Sequence, residues 1–468
     1  MKFKIQMVIE DEYGQTQMED IVQLNKNTEH GYCAGLSLYE SKEVLKILQH
    51  KIILQQAEAY TNSHRICPHC NKARRIKGNN HIQFRTLFGI IGIPNLRLYQ
   101  CKCNSETKKT FSILEQWLPE HTSPELKYIE TKWAFFMSFD KTSNLLLDIL
   151  PISSTHNGKT VRNHLHNIAK RQESELEGKP ICISGCINKW SKLQKPDKPI
   201  TVGIDGGYVR SCKNRLTNFE VIVGKSFSST KPTKRFGLVQ GMGPHPQRRL
   251  LSMLRSQGMQ ENQQITFLSD GADNVRGLQF IMHPEAEHIL DWFHLTMRFT
   301  VLNQFAKGLI KTDPKEGEEV TKNLTSAKWY LWHGNVDKGL DLIEDCSVIC
   351  YDDEIKYKER KKFFKHLEEL FTYIKNNRQL IPNYGERWHY GETISSSFVE
   401  STVNEVITKR MVKKQQMQWS EKGAHYLLQA RTAVLNKELA GKFENWYPGV
   451  KIEVNETDKM AAEFKKVA

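Results

Sequence analysis

Five strand-like segments in the second half of the chain constrain its fold more than any other feature. They are TVGI (201–204), NFEVIVG (218–224), FGLVQGM (236–242), ITFLS (265–269) and HILDWF (288–293). The first three follow one another closely, whereas helical periodicity follows the fourth and the fifth. Neighbouring strands followed by strand–helix alternation predict a mixed α/β sheet of five strands.

Composition shifts along the 468 residues suggest how the rest of the chain is organised. An amphipathic helix over 38–62 precedes a strand-like segment with cysteines, further helices follow, and a stretch rich in Pro, Gly and Lys indicates a linker. We therefore expect six regions: an N-terminal helix with the cysteine-bearing element (1–115), a helical region (116–178), a linker (179–199), the α/β domain (200–300 and 390–440), an all-helical stretch (301–389) and a tail (441–468).

The charge balance favours a polyanionic partner. Lys and Arg number 67 and Asp and Glu 53, which gives a formal net charge of +14. The N-terminus lacks the apolar core of a signal peptide, and no run of 18 apolar residues exists. We therefore expect a cytoplasmic protein with no membrane partner, in which the ten cysteines are reduced.

Two close cysteine pairs have the spacing of a metal site. Cys67 and Cys70 form C-x2-C, and Cys101 and Cys103 form C-x-C thirty residues later. The intervening segment alternates like a hairpin, so both pairs can meet at one end and hold a tetrahedral structural zinc. This zinc-ribbon-like element is basic, which suggests a contact with DNA. Two alternatives are structural zinc without DNA contact and four reduced cysteines without metal.

The segment 141–171 has the pattern of a helix-turn-helix. Its first helix carries Leu145, Leu146, Ile149 and Leu150, and Pro151 ends it. The second helix turns Val161, Leu165 and Ile168 inward. The residues expected on its outer face, where a recognition helix contacts DNA, are Lys159, Arg162, Asn163 and His166. A plain helical hairpin has the same pattern and remains an alternative.

Two acids follow strand-like segments and precede glycines. Asp205 lies in TVGIDGG and Asp270 in ITFLSDG, so each is expected to end its strand. If those strands are neighbours, both carboxylates emerge at one edge of the sheet. Converging carboxylates without basic partners favour a divalent metal, and two such ions support phosphodiester chemistry. The alternative is a structural role, in which each aspartate is a capping or loop residue.

A third acid is expected on a helix that begins near residue 396. We choose Glu400, at the margin of the stripe formed by Val399, Val403 and Val406. Its competitors are Glu392, Glu405 and Asp273. The basic residues that follow, and that we expect to hold DNA phosphates, are Lys409, Arg410, Lys413 and Lys414.

The motif DWFH places Asp291 and His294 in a D-x2-H spacing at the end of the fifth segment. As catalytic candidates, these two residues are expected to orient the site or to touch the substrate. A structural pair with satisfied hydrogen bonds is the more frequent explanation of such a short motif.

Together, the motifs IDGGYVR, LSDGADNVR, LDWFHLTMR, KWYLWHG and FVESTVNEVITKRM resemble transposases of bacterial insertion sequences of the ISKra type. The resemblance runs from the cysteine cluster to about residue 436, and it depends on the order and spacing of the motifs. It implies a DDE enzyme with a ribonuclease H-like core, in which Asp205, Asp270 and Glu400 hold two Mg²⁺ (or Mn²⁺) ions.

The resemblance also bears on the residues around the triad. The helical stretch between Asp291 and Glu400 looks like an insertion before the third acid, and Asp291 and His294 look like the D-x2-H signature of Mutator-like relatives. The segment KKQQMQWS is similar to a basic stretch that ends in tryptophan. Trp419 would then stack on a base, although a core position is at least as compatible with the sequence.

The expected function is a bacterial, nucleoid-associated DDE transposase that binds the double-stranded ends of its insertion sequence. It would catalyse metal-dependent DNA cleavage and strand transfer into target DNA, as a homodimer or larger assembly. Two alternatives are a ribonuclease H-like nuclease or resolvase without strand transfer, and a non-catalytic zinc-ribbon and helix-turn-helix regulator.

Overall fold

The computed structural model describes residues 1–10, 14–26, 31, 34–103, 109–180, 182–183, 192–194, 199–214, 216–228, 230–243, 245–282, 286–351, 356–412 and 418–453. The chain divides into two compact units. Unit 1 comprises Met1–Ile168 with Lys437–Ala468, and unit 2 comprises Ala169–Asn436. Most of the expected linker, 179–199, lies outside the described residues.

Ten strands and sixteen α-helices lie in the described residues. The strands are β1 (Lys2–Glu10), β2 (Thr16–Asn25), β3 (Ile76–Thr86), β4 (Gly89–Tyr99), β5 (Thr110–Ser112), β6 (Ile200–Arg210), β7 (Asn218–Phe227), β8 (Lys234–Val239), β9 (Ile265–Ser269) and β10 (Glu287–Leu290). The helices are α1 (Leu38–His64), α2 (Leu114–Trp117), α3 (Pro124–Phe136), α4 (Phe139–Ile149), α5 (Gly158–Leu176), α6 (Pro246–Ser256), α7 (Asp273–Met282), α8 (Trp292–Ile310), α9 (Pro314–Trp332), α10 (Val336–Tyr351), α11 (Arg360–Asn376), α12 (Tyr384–His389), α13 (Ser397–Val403), α14 (Lys409–Met411), α15 (Glu421–Leu435) and α16 (Leu439–Trp446).

In unit 1, an antiparallel hairpin joins the two cysteine pairs, as the alternating sequence predicts. Strands β3 and β4 pair along their length, and the short β5 extends the sheet beside β4. Ile82 and Phe84 of β3 and Ile91 and Ile93 of β4 are buried with α1. Burial of this single apolar face holds the hairpin on α1.

Helices α3 to α5 form the region in which we expected a helix-turn-helix. Helix α4 ends at Ile149, just before Pro151, and Ile149 itself is 52% exposed. An eight-residue connection, 150–157, leads to α5, whereas the turn of a helix-turn-helix usually has three or four residues. The length of this connection therefore favours the plain helical hairpin, and the helix-turn-helix stays a prediction.

The inward and outward sides of α5 are as the sequence predicts. Its apolar residues Val161, Leu165 and Ile168 are buried. Of the residues expected to contact DNA, Lys159, Arg162 and Asn163 are exposed and His166 is half-buried.

A buried polar network joins α3, α4 and the start of α5. The carboxylate of Glu130 is fully buried and accepts hydrogen bonds from His156 Nε2, at 2.7 Å, and from His164 Nδ1. His156 Nδ1 lies 2.7 Å from the hydroxyl of Ser143 on α4. Burial raises the pKa of Glu130, but the hydrogen bonds from both histidines outweigh burial and leave the pKa below its usual value.

In unit 2, the five expected strands form one mixed sheet with the order β10-β9-β6-β7-β8. Strands β6, β7 and β8 are antiparallel, and β9 and β10 run parallel to β6. One face is covered by α6 and α7, whose side chains pack with Ile200, Val202 and Ile204 of β6. Helices α13 and α15 pack on the sheet as well, α13 against β6 and β7 and α15 against β8.

One detail of this sheet differs from the sequence-based expectation. Asp205 does not end its strand, because β6 continues through Arg210. The continuation pairs with β7, so that Gly206 lies opposite Ile222 and Gly207 opposite Val221. Asp205 therefore lies mid-strand, at the point where pairing with β9 stops and pairing with β7 continues.

Helices α8 to α12 lie where the sequence predicts an all-helical insertion. In the described residues, α8 to α11 pack around one apolar cluster that also includes Leu268 of β9 and Ile289 and Leu290 of β10. The insertion is thus anchored to the end of the sheet where Asp270 lies. No helix in the described part of the chain is long and apolar enough to cross a membrane.

Removal of the Glu130 carboxylate is expected to loosen unit 1. Glu130→Ala leaves two buried histidines without their acceptor, which should cost about 3 kcal/mol of local stability. Native-state hydrogen exchange of the amides in α3 to α5 measures this cost, with the exposed Glu125→Ala on the same helix as control. Equal protection in both variants would contradict the role of the network.

The same network predicts a pH dependence. Since the folded pKa of Glu130 is lowered, its contribution is fully present above the usual carboxyl pKa, near 4.5. The contribution should be lost as the pH falls through the lower folded pKa. The difference in stability between wild type and Glu130→Ala should therefore shrink as the pH falls below about 4.5 if this carboxylate causes it.

Candidate functional site

Parallel pairing of β6 with β9 brings the first two acids together. Gly203 lies opposite Leu268, and the same register places Asp205 beside Asp270, one residue past the end of β9. The Asp205 carboxylate accepts the amide of Gly206 at 2.8 Å, and that of Asp270 accepts the amide of Ala272 at 3.0 Å. Both carboxylates keep further lone pairs for another ligand.

The surroundings of Asp205 are electrostatically crowded. Burial raises the pKa of Asp205, and the charges of Asp270 and Asp291 raise it further, whereas His294 and the Gly206 amide lower it. The net shift is upward. A cation placed among these acids would oppose that shift, because it favours the ionised carboxylates.

The helix that carries the third candidate acid packs on the same part of β6. Asp205 and Gly207 lie two residues apart in a strand and therefore on the same face. A side chain at Gly207 would come within 3.0 Å of Ile407 and 3.7 Å of Val403. The absence of a side chain at Gly207 thus lets the Glu400-bearing segment approach β6 closely.

Glu400 lies in α13, and its side chain is outside the described residues. Two of its competitors have charged partners: Glu392 lies 2.8 Å from Arg387, and Glu405 lies 3.2 Å from Arg235. Asp273 is exposed in the first turn of α7. The assignment of Glu400 remains a prediction, made on the position of α13 against β6.

Asp291 is fully buried and acts as a connector. Its Oδ1 accepts the amide of Phe293 at the start of α8 and the amide of Ser396, both at 2.9 Å. Its Oδ2 accepts the hydroxyl of Ser396 and lies 3.5 Å from His294 Nε2. Ser396 directly precedes α13, so this carboxylate ties the third-acid helix to the end of β10.

These contacts give the two residues of the D-x2-H motif different roles. Asp291 is occupied by protein donors and is not placed to touch a substrate. His294 is partly exposed and acts electrostatically on Asp205. The structural-pair explanation of the motif fits Asp291, whereas His294 faces the acids.

The basic segment after α13 is only partly available to DNA. Lys409 is exposed, and Lys413 and Lys414 lie outside the described residues. Arg410, in contrast, is 0% exposed, and burial lowers its pKa to about 10. Its guanidinium lies 5.2 Å from the ring of Trp419. A side chain this deeply buried does not reach a phosphate, so Arg410 is better explained as a core residue.

Trp419 also occupies a core position. It is 4% exposed, and its backbone exchanges hydrogen bonds with Arg210 and Cys212 beyond the end of β6. The ring is therefore not available for base stacking in this structure, and the alternative of a core tryptophan describes it.

The four cysteines of unit 1 converge as their spacing predicts. The sulfur atoms of Cys67 and Cys103 are 3.5 Å apart, those of Cys70 and Cys101 are 3.4 Å apart, and all four lie within 4.8 Å of one another. Zinc–sulfur bonds of about 2.3 Å in a tetrahedron place sulfurs about 3.8 Å apart. The cluster can therefore hold a structural metal such as zinc.

The backbone prepares one of these thiols for a metal. Hydrogen bonds from the amides of His69 and Cys70 lower the pKa of Cys67 to about 6. Hydrogen bonds with Cys101 and Cys67 instead raise the pKa of Cys103 to about 12. One thiolate thus opposes ionisation of its neighbour, and a cation would remove that opposition.

Comparison of the chain with protein-family models and with curated proteins finds no match. Function is therefore inferred from the placement of side chains and from the motifs.

The sequence did not reveal the tertiary contacts of several residues that shape the site. Ser396 and Tyr373 contact the acid-bearing segments through hydrogen bonds, and Gly207 admits α13. The sequence indicates Ser396 as a possible start of the helix but does not reveal its contact with Asp291. Nothing in the local sequence indicates the tertiary contact of Tyr373.

Loss of the Ser396 hydroxyl is expected to free the third-acid helix. Ser396→Ala leaves Asp291 with one donor fewer to a buried charge, which should cost about 2 kcal/mol. Hydrogen exchange across 397–403 should speed up accordingly, whereas Ser252→Ala on α6 should leave it unchanged. Unchanged exchange in Ser396→Ala would show that Asp291 does not hold α13.

The cysteine cluster is expected to bind about one zinc ion per chain. Cys67→Ser should lose the metal, and the exposed Cys212→Ser should retain it. Elemental analysis of the purified proteins measures this directly. The zinc assignment is wrong if wild-type protein prepared with added zinc contains no metal. It is also wrong if Cys67→Ser contains as much metal as wild type.

Proposed function

We propose that the protein is a DDE transposase with a ribonuclease H-like core. It would bind the ends of its insertion sequence and catalyse metal-dependent DNA cleavage and strand transfer. The observation that carries this proposal is the register of β6 and β9, which sets Asp205 beside Asp270 while α13 packs on β6. The mixed sheet, with three antiparallel strands and two parallel ones, supports the ribonuclease H-like assignment.

The donor chemistry fits two divalent cations such as Mg²⁺ or Mn²⁺. Within the described residues, no lysine or arginine forms an ion pair with Asp205 or Asp270, so these carboxylates are not already neutralised. Asp205, Asp270 and Glu400 would hold these ions. Bound there, the ions would activate the attacking oxygen and stabilise the leaving oxygen of a phosphodiester.

The surrounding residues would supply position and charge. Asp291 and Ser396 hold α13 in place, and His294 presents a partly exposed imidazole toward Asp205. The protein would do little covalent chemistry of its own, as in other phosphoryl transfers.

DNA binding would be shared between the two units. The net charge of +14 suits a polyanion. In unit 1, the zinc-ribbon-like element and the exposed Lys159, Arg162 and Asn163 of α5 are the candidate DNA contacts. In unit 2, Lys409 is exposed beyond the third-acid helix. Because two element ends must be held together, we expect a homodimer or a larger assembly on DNA.

Substitution of the triad tests the enzyme directly. Asp205→Asn, Asp270→Asn and Glu400→Gln should each lower Mg²⁺-dependent cleavage of DNA that spans the borders of the element by at least about a thousandfold. Border binding should remain. Labelled borders, incubated with protein and Mg²⁺ or EDTA and resolved on a denaturing gel, give both cleavage and joining to a target plasmid.

Asp273→Asn is the matched control, because it removes an exposed acid close in sequence to Asp270. Full activity in a triad variant would remove that residue from the site. Cuts without joined products would favour a nuclease or resolvase. Tight binding with no cut under any metal would favour the non-catalytic regulator.

A further inference from the structure

A hollow beside Asp270 has no role in the triad described above. Its volume is about 490 Å³, and it lies between the insertion helices α8 and α11. The residues that line it include Arg298, Lys365, Glu368, Glu369, Tyr373 and Asn377. Four of these side chains are charged, and the two cations are Arg298 and Lys365.

The end of this hollow next to Asp270 is built from fixed contacts. The Tyr373 hydroxyl donates to the Asp270 carbonyl at 2.8 Å, and the Asn377 side chain donates to the Tyr373 carbonyl at 2.9 Å. Gly271 has a φ of +82°, and a side chain there would come within 2.3 Å of Asn377 Oδ1. These contacts therefore fix this end of the hollow next to Asp270, the residue that follows β9.

Arg298 supplies the positive charge at this end. Its guanidinium lies 4.1 Å from the centre of the Tyr373 ring, and Arg298 is exposed. It follows His294 by four residues, so both lie on the same side of α8. A guanidinium held on an aromatic face is pre-organised for two-point hydrogen bonding to a phosphate.

The other charges of the hollow lie farther along α11. Glu369 is paired with Lys365 at 3.8 Å and with His366 at 3.0 Å. Glu369 precedes Tyr373 by about one helical turn, and Glu368 lies one residue farther away. An anion would therefore sit at the Arg298 end and be excluded from the acidic end.

We propose that Arg298, supported by Tyr373, binds a backbone phosphate of the DNA strand next to the phosphodiester that the acids cleave. The proposal rests on the proposed function, since it places the substrate strand across Asp205 and Asp270. Arg298 would fix the register of the strand and would not take part in the chemical step.

Binding measurements test this contact without requiring cleavage. Border duplexes are titrated with full-length protein in Ca²⁺ over a series of salt concentrations. Arg298→Met retains an apolar stem on Tyr373 but loses the charge; it should weaken binding about eightfold at 0.1 M salt and reduce the salt slope by about one. Arg255→Ala, which removes an exposed arginine of α6, should change neither.

Neutral methylphosphonates, introduced one at a time on either side of the cut, identify the phosphate. One of them should weaken binding by wild type as much as Arg298→Met does, and should have no further effect on that variant. Independent effects at every position would overturn the proposal. Coupling of Arg298 to abasic positions instead would assign the hollow to a base and overturn it as well.

Further measurements distinguish a DNA phosphate from a free anion and from misfolding of the variant. If inorganic phosphate stabilises wild type but not Arg298→Met, while DNA binding is equal in both, the hollow takes a free anion and the proposal fails. If border binding depends on Arg298 but the protein never cleaves DNA, the proposed transposase function is wrong. The proposed phosphate contact of Arg298 is then still supported. Equal thermal unfolding of wild type and Arg298→Met is expected and excludes misfolding as the cause.

Discussion

The parallel pairing of β6 with β9 is the interaction on which the candidate site depends. This register alone sets two acids 65 positions apart in sequence side by side. Antiparallel pairing with β7 continues along β6 past Asp205, whereas pairing with β9 stops before it. The Asp205 carboxylate therefore projects from a strand that is hydrogen-bonded to β7 along nearly its whole length. A strand end would have been freer to move, and the carboxylate would have been less precisely placed.

The candidate site also requires that α13, the helix of the third candidate acid, arrives from a distant part of the chain. Two contacts bring it there, and they differ in kind. Asp291 binds Ser396 through hydrogen bonds from the end of β10, and Gly207 leaves space for Val403 and Ile407 on β6. A buried arginine completes the support, because Arg431 on α15 donates to the carbonyls of Glu405 and Val406 behind the helix. The charged group faces backbone oxygens, which compensates part of its desolvation.

Much of the fold follows from local sequence, and the misplaced details have physical causes. The five strands, the cysteine hairpin and the inward side of α5 follow from periodicity and residue spacing, which depend on near neighbours. The end of β6 does not, because two glycines look like a strand end, whereas pairing with β7 decides the matter. Arg410 and Trp419 look like a DNA-binding pair in sequence and are buried together, since burial is set by the elements that pack over them. Ser396 and Tyr373 act through partners about a hundred residues away, which a local pattern does not reveal.

The wide separation of the site residues in sequence also determines when a site of this kind can exist. The strand that carries Asp205 leaves the ribosome well before α13, and α15, which covers β8, comes later still. At synthesis rates of roughly 5–20 residues per second, the gap between Asp205 and Glu400 is on the order of ten seconds or more. During that interval the chain holds at most two of the three candidate acids, so a polypeptide that ends before α13 lacks the third. The topology thus makes synthesis through α13 a condition for assembling the candidate site.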